Sequence, residues 1–227
     1  MASSGVASPD EGGPAIYAQA MTPPPKASAP TPADLSGAGA PAPDGTPEPF
    51  RRALEVLRRT QADPPYRPEL AMEDMPAPQR LAPYTAAIAA AVDRDGEEVA
   101  NGRLIVLYDP KGRESWNGEF RLVAYIQADL EPEFAEDELI GEVAWSWLIE
   151  ALDQAGYEGA SGTITRAISE GFGDKAGEPS ATELELRASW SPTGPDIGDG
   201  LAAHITAWCE VMCLAAGLPP AGVTALH

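Results

Sequence analysis

Residues 120–129 read FRLVAYIQAD, and this stretch decides the fold. Apolar side chains occupy every second position from Phe120 to Ala128, which is the two-residue period of a strand with one buried face. The other face carries polar and mixed side chains: Arg121, Tyr125, Gln127 and Asp129. The pattern therefore predicts a strand that packs on helices with one face and presents the other outward.

Alternation on both sides of this stretch predicts further strands. Residues 99–108 form a clear strand pattern directly after Asp95-Gly96, a dipeptide typical of hairpin turns. Residues 84–92 fit either a helix or a strand, and the turn signal that follows them favours the strand. Residues 163–169 and 184–190 complete a set of five predicted strands.

Three segments with helical periodicity surround these strands. The first begins at Pro49, the second covers residues 140–151, and the third runs from about Asp199 to Gly217. We therefore predict one α+β domain over residues 47–220, in the order α-β-β-β-α-β-β-α, with a mostly antiparallel five-stranded sheet and helices packed on one face. The prolines between positions 64 and 83 predict an irregular connection that packs along the domain surface.

A faint internal repeat accompanies this order. Ala100-Asn101-Gly102 recurs as Ala160-Ser161-Gly162, and Trp147 with Gly156 recurs as Trp208 with Gly217. The matches indicate that a strand-strand-helix unit occurs twice.

Both ends of the chain lie outside the predicted domain. Residues 1–46 consist largely of Pro, Ala, Gly and Ser, which predicts a disordered arm, and residues 221–227 form a short tail. We expect no signal peptide, because the first basic residue is Lys26, and no membrane span, because no run approaches about 20 apolar residues. Cys209 and Cys213 are the two cysteines, and their four-residue spacing in a helix suits a reducing compartment. We therefore expect a cytoplasmic protein.

Charge and side-chain chemistry exclude several function classes. A formal net charge of −20 argues against direct binding to nucleic acid or to an anionic membrane. His204 and Cys213 lie on opposite sides of their predicted helix, so we expect core packing there and neither a metal site nor a cofactor site. No G-x-S-x-G elbow is present, and the sequence predicts no set of catalytic residues.

Two weaker patterns remain as candidate sites. Val123 and Tyr125 on the outward strand face, with Trp145 beside the apolar stripe of its helix, form a candidate partner interface. The alternative is that these side chains pack under the proline-rich connection. Glu183 and Glu185 share one strand face and, with Asp129, suit acid/base chemistry, although a solvated sheet face is the interpretation that we prefer.

Several segments carry a family resemblance. They are Arg67-Pro68-Glu69-Leu70, Pro76-Ala77-Pro78-Gln79-Arg80-Leu81-Ala82-Pro83, Asn101-Gly102-Arg103-Leu104, Trp145-Ser146-Trp147-Leu148, Ser161-Gly162-Thr163, Arg187-Ala188-Ser189-Trp190 and Ala216-Gly217-Leu218-Pro219-Pro220. With these segments the chain resembles an uncharacterised actinobacterial family, the domain of unknown function 3000, from about Phe50 to Pro220. The resemblance implies no reaction, cofactor or binding residue.

The predicted element order is similar to that of type III secretion chaperone and YbjN-like domains, which are small, acidic and commonly dimeric. This likeness implies an outer sheet face that binds a partner. We therefore expect a non-enzymatic protein-binding or chaperone-like module that binds another protein or itself, as a homodimer through its sheet. The alternative is a small-molecule-binding protein or an unrecognised acid/base enzyme that uses the carboxylates named above.

Overall fold

The computed structural model describes residues 45–63, 67–78, 80–135, 137–177, 180–194 and 196–219. The predicted C-terminal tail, and the predicted arm up to residue 44, lie outside the described residues.

Helices and strands alternate along the chain nearly as predicted. In chain order they are α1 (Glu48–Ala62), β1 (Leu70–Asp74), β2 (Tyr84–Arg94), β3 (Glu97–Arg113), β4 (Gly118–Asp129), α2 (Pro132–Ala135), α3 (Ile140–Ala155), β5 (Tyr157–Ser169), β6 (Ala181–Pro192) and α4 (Ile197–Ala215). Residues 84–92 are a strand, and Asp95 (φ 60°) and Gly96 (φ 87°) close the β2–β3 hairpin. Positive φ at both central residues is what a two-residue hairpin turn of type I′ requires. The prediction of an α+β fold is confirmed, and the five predicted strands and three predicted helices follow one another as predicted, with strand β1 and the short helix α2 in addition.

The sheet has six strands in the order β1-β2-β3-β4-β6-β5, and every neighbouring pair is antiparallel. The sixth strand is β1, which pairs with residues 88–92 of β2. The prediction of five strands was wrong here because the five residues of β1, LAMED, lie in a short proline-free run with prolines on both sides. Such a run is long enough for a short edge strand.

Helices α1, α3 and α4 pack on one face of the sheet, as predicted, and form the main core with it. Trp190 of β6 and Trp208 of α4 are fully buried there. In the same core, the centroid of the Tyr108 ring lies 5.9 Å from that of Phe50 and 4.6 Å from that of Phe120. None of the helices in the described ranges has the length and apolar run that a membrane span needs.

Two glycines allow tryptophans to reach the sheet. A Cβ atom on Gly102 of β3 would lie 2.6 Å from the carbonyl oxygen of Tyr125 and 3.1 Å from the Trp208 ring. A Cβ atom on Gly162 of β5 would overlap the carbonyl oxygen of Arg187 and lie 2.9 Å from the Trp145 ring. These contacts make Trp145, rather than the predicted Trp147, the counterpart of Trp208 in the repeated unit.

Candidate functional site

The sheet face opposite the helices, here called the outer face, is divided into an apolar and a polar part. The apolar part is a cluster in which Ile105, Leu107 and Val123 pack with Leu81 and Trp116. Met75, Ala77 and Ala82 of the proline-rich connection pack against this cluster. The connection therefore covers the apolar part of the outer face. This agrees with the prediction that it packs along the domain surface.

The polar part is a network that we call the arginine–tyrosine cluster, made of Arg103, Tyr125, Gln127, Glu183, Glu185 and Arg187. Strand register explains how it assembles. Arg103 of β3 lies opposite Tyr125 of β4, which lies opposite Arg187 of β6. Directly paired residues project from the same face of a sheet, so these three side chains form one row across three strands.

The two guanidinium groups flank the Tyr125 ring. The Cζ atom of Arg103 is 5.1 Å from the ring centroid and that of Arg187 is 5.8 Å away, both within the range of cation–π contacts. The Tyr125 hydroxyl lies 3.0 Å from Oε2 of Glu185 and 3.1 Å from Oε1 of Gln127. Burial, followed by this hydrogen bond to Glu185, raises the pKa of Tyr125 well above its usual range. The phenol is therefore a neutral donor in this network.

Glu183 and Glu185 accept hydrogen bonds within the cluster. Nε2 of Gln127 donates to Oε2 of Glu183 at 3.0 Å, and Nη2 of Arg187 is 2.7 Å from Oε1 of Glu185. Asp129 is exposed and lies opposite Glu183 in the register. The three carboxylates predicted for acid/base chemistry thus share one face, and two of them hold neighbouring side chains in place.

The arginines of the outer face differ in how fully they are paired. Arg121 donates from Nη1 to Oγ of Ser191 at 3.1 Å, and from Nη2 to Oγ of Ser189 at 2.6 Å. In contrast, Nε and Nη2 of Arg103 are buried without a hydrogen bond to any described residue, and so is Nε of Arg187. Burial lowers the pKa of Arg103, and the positive charge of Arg187 adds to that decrease.

The residues predicted as a partner interface are largely covered. Val123 and Tyr125 are 2% and 1% exposed, and Trp145 is half-buried against Gly162. Val123 and Tyr125 belong to the cluster that the proline-rich connection packs against, whereas Trp145 lies on the helix side of the sheet. Arg103 and Arg187 could not be singled out from the sequence, because alternation shows that both point outward but not that register places them on either side of Tyr125.

His204 and the cysteines belong to the core. The indole of Trp190 donates to Nδ1 of His204, which agrees with the predicted core role of this imidazole. Cys209 and Cys213 are buried and form no disulfide. Within the described ranges, no group of three or more His, Cys, Asp or Glu side chains is arranged to hold a metal ion.

A second surface feature is the open edge of the sheet at β5. Among the described strands it pairs only with β6, and most of its residues are exposed. The large apolar side chains that are exposed in the described part of the chain lie in β5 or near it in sequence or space: Phe134, Leu139, Ile168 and Phe172. Ile168 and Phe172 are 60% and 80% exposed.

The chain matches no curated protein and no solved structure. A family model with the description "Protein of unknown function (DUF3000)" matches residues 46–224. This match contains every helix and strand described above. The chain therefore belongs to the DUF3000 family, as the sequence resemblance predicted.

Proposed function

We propose that this chain is a non-enzymatic protein-binding or chaperone-like module that acts through the open edge of its sheet. Its first partner in this proposal is a second copy of itself, bound by antiparallel pairing of β5 with β5. The observation that carries the proposal is a long, weakly charged edge strand accompanied by exposed apolar side chains.

The two edges of the sheet differ in how well they are protected. Strand β1 has five residues and ends with Glu73 and Asp74, and short length and charge are common means of blocking edge pairing. Strand β5 has 13 residues, and its only charged side chains are Glu158 and Arg166. An edge of this length and composition offers unpaired backbone groups to an incoming strand.

Apolar side chains next to β5 would add to the backbone hydrogen bonds of an added strand. Arg166 donates to the carbonyl oxygens of Ala135 and Asp137, at 3.2 and 2.9 Å, and so holds this segment beside the strand. The same segment carries the exposed Phe134 and Leu139. Exposed apolar groups that lie together favour a protein interface.

Charge favours self-pairing at this strand over other parts of the surface. Each copy carries a net charge of −20, so two copies repel each other over most approaches. The charges of Glu158 and Arg166 cancel within β5. Two copies can therefore meet at this edge with little repulsion. Antiparallel pairing of the same strand also generates the two-fold symmetry of a closed dimer.

The setting that we propose is the cytoplasm, where the two unpaired thiols would remain reduced. Direct binding to nucleic acid or to a membrane surface is not part of the proposal, because the net charge of −20 opposes it.

The proposal is tested by light scattering coupled to size-exclusion chromatography. The wild-type chain should elute with about twice the mass of one 23.8-kDa chain. The double variant Thr163→Lys/Thr165→Lys changes two exposed β5 positions and should shift the protein to monomer. The control Ala202→Lys/Ala203→Lys adds the same charge at exposed positions of α4 and should remain dimeric.

Two results would overturn the homodimer proposal. One is a wild-type chain that stays monomeric at all concentrations examined. The other is a dimer that the β5 lysines leave intact, because its interface would then lie elsewhere.

The alternative, a small-molecule-binding protein or an acid/base enzyme, would use the outer face. The carboxylates of Glu183 and Glu185 are committed to Gln127, Tyr125 and Arg187 as hydrogen-bond acceptors. A general base must be free to receive a proton from its substrate. This arrangement supports a positioning role for both carboxylates more than a catalytic one.

A further inference from the structure

We propose that Arg103 and Arg187 form a binding site on the outer sheet face for a small oxyanion, a carboxylate or a phosphate. This site lies on the sheet face beside β5, and its test does not depend on dimer formation.

The first argument is how the charged groups of the arginine–tyrosine cluster are paired. Two guanidinium groups lie over one ring, and the ion pair in the cluster joins Arg187 to Glu185. Within the described residues Arg103 makes no ion pair, and Glu183 is held by the neutral amide of Gln127. The cluster contains two arginines and two glutamates and is balanced overall, but within the described residues the Arg103 guanidinium beside the buried ring has no carboxylate of its own.

The geometry of the unpaired donors is the second argument. Nε and Nη2 of Arg103 lie on one edge of the guanidinium and direct two roughly parallel N–H bonds outward from it. That fork matches the two oxygens of a carboxylate or phosphate. Buried donors without acceptors are destabilising, and an oxyanion would supply the missing acceptors. Arg121 on the same face has its serine acceptors, so unpaired donors are particular to this row.

Access to the site requires the Arg103 side chain to turn away from Tyr125, because its Nε and Nη2 atoms are buried. The next positions at both ends of the row carry short side chains. Ala89 of β2 lies opposite Arg103, and Thr163 of β5 lies opposite Arg187. Glu73 of β1 lies opposite Ala89, so an anion would approach over Thr163.

The site can be tested by NMR, through the Nε–H resonances of the arginines in the full chain. Acetate and inorganic phosphate are titrated separately at millimolar concentration, with sodium chloride at matched ionic strength as the reference. We expect one or both oxyanions to shift the Arg103 and Arg187 resonances, while chloride leaves them unchanged. The oxyanion that binds more tightly identifies the class of ligand.

Variants test whether the oxyanion binds to the guanidinium fork of Arg103. Arg103→Gln should weaken binding by about tenfold or more, and Arg103→Lys should weaken it similarly because lysine retains the charge but loses the fork. Arg59→Gln removes an exposed charge from α1 and should have no effect. The proposal fails if neither oxyanion moves the two wild-type resonances, or if Arg59→Gln weakens binding as much as Arg103→Gln. The wild-type titration decides the matter even if a variant does not fold.

Discussion

The indole N–H of Trp190 donates a hydrogen bond to Nδ1 of His204, 3.2 Å away, in the core between β6 and α4. Because an indole can only donate, Nδ1 must act as the acceptor, and the proton of the neutral imidazole lies on Nε2. Burial lowers the pKa of His204 to about 4. The folded protein therefore holds this histidine uncharged at neutral pH.

Stability should consequently fall in mild acid. The folded pKa lies below the usual value of 6.5, so the unfolded chain binds a proton that the folded chain excludes as the pH falls from 6.5 to 4. The loss amounts to about 3 kcal/mol at most. The His204→Gln variant retains an acceptor for Trp190 without this titration. Denaturant unfolding at several pH values gives the free energy of unfolding of both proteins. The difference between wild type and variant should change across this pH window, and a constant difference would contradict the assignment.

Gly102 should be intolerant of any side chain. In Gly102→Ala the new methyl group would meet the Tyr125 carbonyl oxygen, a backbone atom of a central strand that cannot move aside, and the Trp208 ring. We expect destabilisation of about 1–3 kcal/mol, as for an overpacked core. Gly118→Ala is the matched control, because its methyl group would meet nothing within 4 Å. Equal unfolding free energies for the two variants would argue against this role for Gly102.

The two thiols should be inert until the protein unfolds. Burial raises the pKa of Cys209 above its usual range and that of Cys213 to about 12, so almost no thiolate is present at neutral pH. Ellman's reagent should label neither cysteine in native buffer and both in denaturant. An Ala202→Cys variant, with its new thiol exposed on α4, should react at once and confirm that the reagent is active. Rapid native labelling of the wild-type chain would show that α4 opens locally.

Much of the fold could be predicted because periodicity and turn chemistry are local properties. Alternation in residues 120–129 and the Asp95-Gly96 turn located β4 and the β2–β3 hairpin. Strand β1 was missed because its five residues are too few for a period to stand out among prolines. The pairing of β4 with β6, which places β5 at the edge, depends on contacts between distant segments that local patterns do not encode.

The candidate site was less predictable for the same reason. Tyr125, Glu183 and Glu185 were recognised as outward-facing residues, but their shared network requires the register between β4 and β6. In the sequence, the alternation pattern does not distinguish Arg103 and Arg187 from ordinary solvated arginines. Only the row across three strands shows that they enclose a tyrosine and leave donors unpaired.

The two glycine–tryptophan contacts cross between the repeated units. Trp208 belongs to the helix of the second unit and rests on Gly102 in the first, whereas Trp145 belongs to the first unit and rests on Gly162 in the second. Helix α3 of the first unit thus covers β5 of the second, and helix α4 of the second unit covers β3 of the first. Neither half can complete its own core in isolation, so the domain should melt in a single cooperative transition without a half-folded species.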